Sequence, residues 1–159
     1  MNEQADKTGG GGRYPAFDLA HFTPYRMALA AQLLSETLAA QYRERYGISV
    51  ADWRVLVHLA YAGKASVRDI QNRVVMDKST ISRTVSRLEE RGVVSKRENP
   101  KDRRLLLLSL TEAGEAMMTD VLPMATSFQA RIQAELGPQF AALEAALQSL
   151  IDAYGGGEP

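Results

Sequence analysis

Residues 77–111, DKSTISRTVSRLEERGVVSKRENPKDRRLLLLSLT, decide how this chain folds. They predict a helix with Asp77 as its N-cap, because a carboxylate can accept hydrogen bonds from the free N–H groups of a first turn. Apolar side chains follow with the spacing of one helical stripe: Ile81, Val85 and Leu88. Gly92 ends the predicted helix as the left-handed residue that follows a C-cap.

The other face of this predicted helix carries short hydroxyl side chains and arginines. Arginine can make two hydrogen bonds to guanine, and serine or threonine adapts to several bases, so this face suits the major groove of DNA. The candidate DNA-binding residues on the helix, with one at the start of the preceding helix, are Lys78, Ser79, Thr80, Ser82, Arg83, Thr84, Arg87 and Ser66. Surface salt bridges are the alternative role for Arg83 and Arg87, and Glu90 lies three residues from Arg87.

A basic hairpin follows the helix. Residues 93–98 and 104–110 have the composition of two strands, and Asn99-Pro100-Lys101-Asp102 between them is turn chemistry. The candidate DNA contacts of the hairpin are Lys96, Arg97, Lys101, Asp102, Arg103 and Arg104. Lys96, Arg97 and Lys101 are expected to contact phosphates, and an arginine near the tip can enter a narrow minor groove. A helix followed by a turn and a basic hairpin predicts a winged helix-turn-helix.

The segment resembles the MarR (multiple antibiotic resistance regulator) family of bacterial transcription factors. The matching residues are Asp77-Lys78-Ser79-Thr80, Leu88-Glu89-Glu90-Arg91-Gly92, Asp102-Arg103-Arg104 and Leu110-Thr111. The resemblance extends from about Pro24 to about Ala153. It implies that Asp102 holds the wing and that Arg104, or its near equal Arg103, enters the minor groove. Pairing of Arg104 with Asp102 alone is the alternative.

The rest of the chain is predicted to be helical. Helices are expected from Pro24 to Tyr46, from Ser49 or Val50 to Ala62, after a Ser66 cap, from Thr111 with a kink at Pro123, and from Gln139 to Tyr154. The predicted fold is therefore mainly α with a small two-stranded wing. The expected regions are a disordered tail at 1–13, a dimerisation region at 14–48 and 111–154, a DNA-binding region at 49–110, and a flexible end at 155–159.

The terminal helices carry wide apolar faces that a monomer would struggle to cover. In the last helix this stripe consists of Phe140, Leu143, Leu147, Leu150 and Ile151. Packing against a second copy would cover it and would relate two DNA-reading helices by a two-fold axis, as a pseudo-palindromic operator requires. The resemblance implies the same interlocked homodimer.

Charge is distributed unevenly along the chain. The net charge of the 159 residues is zero, but residues 64–104 hold twelve Lys/Arg and six Asp/Glu, a balance of +6. Local charge sets the affinity for phosphate, so this segment suits nucleic acid; a solvated charged face is the alternative.

The resemblance also implies a small aromatic acid as an effector, bound near the junction of the first helices with the DNA-reading unit. The candidate ligand-binding residues are His21, Tyr25, Arg26, Trp53, Arg54, His58 and Tyr61. An aromatic cleft with one or two cations would suit such a ligand. Ordinary packing is the alternative for each residue, with Trp53 in the core and His58 in a helix hydrogen bond.

Several classes of protein do not fit the sequence. The chain has no cysteine, and its two histidines lack the spacing of a metal site, so we expect no metal and no cofactor. No nucleophile elbow or phosphate loop indicates an enzyme. No apolar run of roughly 18 residues indicates a membrane span, and no signal core is present, so we expect a cytoplasmic protein.

These observations predict a homodimeric DNA-binding transcriptional regulator, a repressor released by a small molecule. One alternative is a ligand-insensitive or activating DNA-binding regulator. Another is a winged-helix module that binds proteins and not DNA. The +6 segment and the serine, threonine and arginine face favour DNA over the second alternative.

Overall fold

The computed structural model describes residues 15–74, 76–99 and 106–155. Within these ranges it contains a 3₁₀ turn at Leu19–His21, the helices α1 (Thr23–Tyr46), α2 (Val50–Ala62), α3 (Val67–Arg73), α4 (Lys78–Glu90), α5 (Glu112–Leu136) and α6 (Gln139–Tyr154), and the strands β1 (Ala65–Ser66), β2 (Val94–Glu98) and β3 (Leu106–Leu110). The predicted mainly helical fold with a β wing is confirmed. The predicted tail at 1–13 and the wing residues Lys101, Asp102, Arg103 and Arg104 lie outside the described residues.

The chain forms two compact units, one ending at Leu34 and the other beginning at Ser35. In the first unit the described residues include many exposed large apolar side chains, among them Phe17 and Leu33, which are 67% and 59% exposed. The second unit contains the helix-turn-helix, the sheet and the hydrophobic core.

Short polar side chains cap α2, α3, α4 and α5, as the sequence predicted. Ser49 caps α2 and Ser66 caps α3, each as part of a capping box in which an aspartate three residues later accepts from the cap's backbone N–H. Thr111 caps α5 by accepting from the N–H of Gly114. These local pairs place the helix boundaries because they satisfy backbone donors that have no partner inside the helix.

The wing is an antiparallel hairpin with a third, very short strand beside it. β2 pairs with β3, in a register that puts Val94 opposite Leu110. β1 pairs with the other edge of β3, giving the order β1-β3-β2. The sequence predicted two strands. The additional strand, β1, has only two residues, which is too short for a periodic pattern, so it is recognised only by its pairing with β3.

The core of the second unit lies beneath α2, α4 and the sheet. It includes Leu56 of α2, Ile81 and Leu88 of α4, Leu108 of β3, and Val121 of α5, each no more than 1% exposed. Among the described residues, every buried side-chain nitrogen and oxygen has a hydrogen-bond partner. α4 is therefore packed firmly on the core, which fixes the face that it presents to solvent.

α5 and α6 extend beyond this core. α5 continues through Pro123 as one helix from Glu112 to Leu136, so the predicted kink stays a prediction. No residue of α6 is buried, and Leu143, Leu150 and Ile151 are 41%, 37% and 61% exposed. No helix in the described parts of the chain has both the length and the apolar character needed to cross a membrane.

Candidate DNA-binding surface

The first turn of α4 is organised by one carboxylate. Asp77 accepts hydrogen bonds from the Ser79 and Thr80 hydroxyls, both at 2.6 Å, and from the Thr80 backbone N–H at 2.8 Å. These hydrogen bonds, led by that of Ser79, hold the pKa of the Asp77 carboxyl well below its usual range. Both hydroxyls use their protons on Asp77, so their oxygens point lone pairs outward and could accept from a base N–H.

The exposed side of α4 combines cationic and small polar side chains. Lys78, Ser79, Ser82 and Arg83 are all exposed. The guanidinium of Arg83 has one hydrogen bond to its own helix, from Nη2 to the Thr80 hydroxyl at 3.4 Å. This face has the size and chemistry of a groove-reading surface.

Thr84 lies on the other side of the helix. Its side chain is 2% exposed, and it shares a buried stripe with Ile81, Val85 and Leu88. The prediction that Thr84 belongs to the exposed face is wrong. Positions 81, 84, 85 and 88 follow the period of a core-facing stripe, and a threonine fills one of them once its hydroxyl has a partner.

Arg87 is exposed on one side but engaged in an ion pair with α2. Its Nη2 donates to Asp52 Oδ1 at 2.6 Å and its Nε donates to the same oxygen at 3.2 Å. The alternative partner considered from the sequence, Glu90, is not the one that the structure pairs with it. The next arginine, Arg91, donates to the backbone carbonyls of Tyr46 at 2.5 Å and Gly47 at 3.2 Å.

Three other residues that the sequence predicted to contact DNA differ in how exposed their side chains are. Ser66 is 8% exposed and its hydroxyl is used in the α3 capping box. Lys96 of β2 pairs with Glu89 at 2.5 Å, while Arg97 beside it is exposed. Arg97 is therefore the more accessible of the two cations on this described strand.

A second opening, the α2–α3 cleft, lies on another side of the same unit. It has a volume of about 380 Å³ and is lined by Arg54, Val57, His58, Tyr61, Arg73 and Val74. It brings together three of the predicted ligand-binding residues, Arg54, His58 and Tyr61. Burial and the nearby Arg73 lower the pKa of His58, against a smaller opposing effect of Asp69.

Trp53 belongs to the same unit as the cleft, whereas three other predicted ligand-binding residues belong to the first unit. Trp53 is half-buried and stacks on Tyr42, with ring centroids 5.7 Å apart, and it is not among the residues that line the cleft. This is the packing role that the sequence left open for Trp53. His21, Tyr25 and Arg26 belong to the first unit, where the His21 ring contacts Asp18 at 2.6 Å.

Comparison with known proteins bears directly on this surface. Residues 46–105, which run from the end of α1 to the wing, match the model of the MarR family. Over these residues the chain is therefore similar to the MarR family. MarR-family transcriptional regulators bind DNA and are not enzymes, in agreement with the class predicted from the sequence.

Two of the curated relatives of this chain come from Bacillus subtilis. The uncharacterised transcriptional regulator YdgJ is 31% identical over 98 residues, which cover 60% of each chain. The transcriptional repressor MdtR is 32% identical over 88 residues, covering 55% of this chain and 57% of MdtR. This chain thus spans a little over half the length of these relatives.

Solved structures agree with the fold of this chain. BpsR of Bordetella bronchiseptica, whose DNA binding is regulated by 6-hydroxynicotinic acid, has a TM-score of 0.73 and 22% identity. The match covers 91% of this chain and 100% of that one. At this identity the likeness establishes the shared fold.

The candidate DNA-binding surface also contains polar side chains that the sequence analysis missed. A cleft of about 610 Å³ between α3 and the start of α4 is lined by Arg68, Gln71 and Asn72 together with Lys78. All four side chains are exposed. Positions 68, 71 and 72 follow a helical period opposite Val67 and Ile70, so the spacing could have identified them.

Proposed function

We propose that this chain is a sequence-specific DNA-binding regulator of transcription that acts as a homodimeric repressor and is released by a small molecule. The observation that carries the proposal is the exposed, cationic face at the start of α4, formed by Lys78, Ser82 and Arg83. The α3 side chains Arg68 and Asn72 lie beside it across one cleft. Cations at this edge would grip the phosphates on either side of a groove while α4 lies within it.

Charge supports DNA as the partner rather than a protein. The balance of +6 over residues 64–104 falls on the helix-turn-helix and wing, and an equal negative excess is spread over the remainder. A cationic segment of this size attracts the DNA backbone and makes binding dependent on salt. A winged helix that binds proteins does not require this concentration of positive charge.

The first test separates base reading from phosphate contact. Arg83→Ala should weaken operator binding by about 1–3 kcal/mol and relax specificity at one base pair in each half-site. Arg97→Ala, the control, should weaken operator and random DNA alike and reduce the salt slope by about one. The operator comes from sequencing the DNA that co-purifies with the protein, and affinities come from gel shifts at several salt concentrations.

Two results would contradict this assignment. Equal losses on operator and random DNA for Arg83→Ala would make Arg83 a phosphate contact. Absence of salt-dependent binding to any duplex by the wild type would favour the protein-interaction module instead.

For the effector we propose the α2–α3 cleft and an anionic aromatic ligand. Two guanidinium groups, those of Arg54 and Arg73, suit a carboxylate, and Tyr61 supplies an aromatic side chain at the same cleft. BpsR supports the ligand class, since a hydroxylated aromatic acid regulates its DNA binding. Arg73 and Val74 end α3 just before the reading helix, so a ligand here would touch the turn that positions α4. Release requires tighter binding to the DNA-incompetent dimer.

The effector test uses calorimetry with 6-hydroxynicotinate and benzoate as probes and benzyl alcohol as the uncharged comparison. Arg73→Gln should weaken binding of the acids by about 1.5–3 kcal/mol through loss of a charge-assisted hydrogen bond. Arg68→Gln, on the same helix but at the other cleft, should leave it unchanged. Since a bound anion favours protonated His58, whose pKa is lowered in the free protein, affinity should rise as the pH falls from about 8 to about 6.

If this test fails, the proposed effector site in this cleft is refuted, but the proposed DNA-binding function is not. Equal binding of the acids to wild type and Arg73→Gln, or a pH-independent affinity, would refute the site. DNA binding that no acid alters would favour the ligand-insensitive alternative, and transcription that rises with the protein would favour an activator.

A further inference from the structure

The C-terminal half of the reading helix is attached to the junction between α1 and α2. Arg87 reaches Asp52 in the first turn of α2, and Arg91 reaches the carbonyls of Tyr46 and Gly47 at the end of α1. The first half of α4 presents exposed side chains, while the second half uses its arginines on the protein itself. The helix thus divides into an exposed half and an anchored half.

Asp52 is the centre of this attachment. Its side chain is 2% exposed, and both carboxylate oxygens are fully used. Oδ1 accepts from Arg87 through two nitrogens, at 2.6 and 3.2 Å. Oδ2 accepts from the backbone N–H and the hydroxyl of Ser49, both at 2.8 Å. Asp52 therefore joins the N-terminus of α2 to α4 in one hydrogen-bonded unit.

We propose that Arg87 and Asp52 form a positioning pair that sets the angle of the reading helix, and that Arg87 is not a DNA contact. The inference rests on the proposed DNA-binding function and departs from the role that the sequence predicted for Arg87. It gives Asp52, whose side chain is buried and cannot contact DNA, an indirect role in DNA affinity.

Moving Arg87 away from Asp52 would leave a buried negative charge without a cationic partner. If its guanidinium turned to a phosphate, the Asp52 carboxylate would stay buried with no cation beside it. Leaving a buried carboxylate without its cationic partner is unfavourable, so Asp52 holds the half-exposed Arg87 in place. The planar guanidinium also fixes direction, because two of its nitrogens meet the same oxygen.

The attachment continues from the junction into α5. The Tyr46 hydroxyl donates to Asp120 of α5, and Arg45 Nη2 donates to the same Asp120 oxygen at 2.8 Å. Arg91 in turn binds the Tyr46 carbonyl. The angle of α4 is therefore tied to α5 as well as to α2, through side chains that lie outside the DNA-facing surface.

The experiment is a double-mutant cycle with Asp52→Asn and Arg87→Met, measured on operator DNA over a range of salt concentrations. Asparagine keeps an acceptor for the Ser49 N–H but removes the charge. A positioning pair predicts that each variant lowers affinity by about tenfold and that the double variant is no weaker than either, as for residues in contact. It also predicts an unchanged salt slope, since no phosphate contact is lost.

Arg83→Ala is the matched control on the same helix. The Arg83 side chain is exposed and donates to the Thr80 hydroxyl, so this variant should show the behaviour of a DNA contact. If Arg87 contacts phosphate instead, Arg87→Met will reduce the salt slope by about one. Asp52→Asn will then leave affinity unchanged or raise it by freeing the guanidinium. Either result overturns the proposal.

Arg87→Lys covers the case in which Arg87→Met does not fold. Lysine keeps the charge for a phosphate but loses the two-nitrogen geometry toward Asp52, so a positioning role predicts weaker binding and a contact role predicts near-normal binding. Absence of DNA binding by the wild type would refute the proposed function and this inference together. If the wild type binds operator DNA and Asp52→Asn binds it with the same affinity, the inference alone is refuted.

Discussion

At the scale of single residues, the side chains of α4 fall into local and distant pairs. Asp77 binds Ser79 and Thr80, two and three residues away, and the helix N-cap could be predicted from this spacing. Arg87 binds Asp52, 35 residues away, and no local pattern indicates that contact. Local pairs follow from helix geometry, whereas distant pairs depend on how α2 and α4 pack.

Asp77 leads to a prediction about acid stability. Because hydrogen bonds lower the pKa of Asp77 in the folded protein, its contribution is fully present above the unfolded pKa near 3.8 and is lost as the pH falls through that value toward the folded pKa. Asp77→Asn should therefore be less stable than wild type at neutral pH, and the difference should shrink below about pH 4. Thermal melts followed by circular dichroism measure it; a difference independent of pH would contradict the prediction.

At the scale of elements, α5 is placed by a close approach to the start of the wing. A Cβ added at Gly114 would lie 2.1 Å from the carbonyl oxygen of Val93. That carbonyl already accepts from the N–H of Thr111 at 3.1 Å, so it is held in place. The sequence indicated only that Gly114 is tolerated within the helix, whereas the packing of α5 against the wing requires a residue without a side chain.

Gly114→Ala should therefore destabilise the protein. In an open helix the change would stabilise by about 0.5–1 kcal/mol, since alanine is the better helix former. Here the methyl group must push α5 away from Val93, at a cost of about 1–3 kcal/mol. Ala113→Gly on the exposed neighbouring position is the control and should cost only about 1 kcal/mol. A rise in the denaturation midpoint of Gly114→Ala would show that the backbone yields easily.

At the scale of the whole molecule, the exposed apolar side chains of α6 indicate a surface that another chain covers. α6 has no buried residue, and its predicted stripe leaves Leu143 and Ile151 at 41% and 61% exposure. Apolar surface of this kind on a helix face is characteristic of an interaction site. We propose that a second copy covers it, since a homodimer also supplies the two reading helices that a pseudo-palindrome needs.

The prediction for assembly is a dimer at micromolar concentration that dissociates when α6 is changed. Leu143→Glu combined with Ile151→Glu should give a monomer with its helix content retained, because both side chains are exposed within one chain. Gln148→Glu, which adds charge at an exposed polar position, should remain a dimer. Light scattering with circular dichroism tests this, and a wild type that stays monomeric would disprove the proposed dimer.

Local chemistry was sufficient to predict the helix boundaries, the caps at Ser66, Asp77 and Thr111, and the hairpin. Each of these depends on residues a few positions apart, whose hydrogen bonds do not require the rest of the fold. The exposed reading face at Lys78 and Arg83 could be predicted in the same way, from periodicity.

Tertiary structure alone decided which polar side chains are available. The packing of α4 on α2 buries Thr84 and engages Arg87 with Asp52, and the pairing of Ala65–Ser66 with β3 adds a strand too short to leave a pattern. The convergence of Arg73 with Arg54 and His58 likewise joins two helices into one cleft. These features bring together residues far apart in sequence, so their energies depend on packing and burial that no single segment encodes.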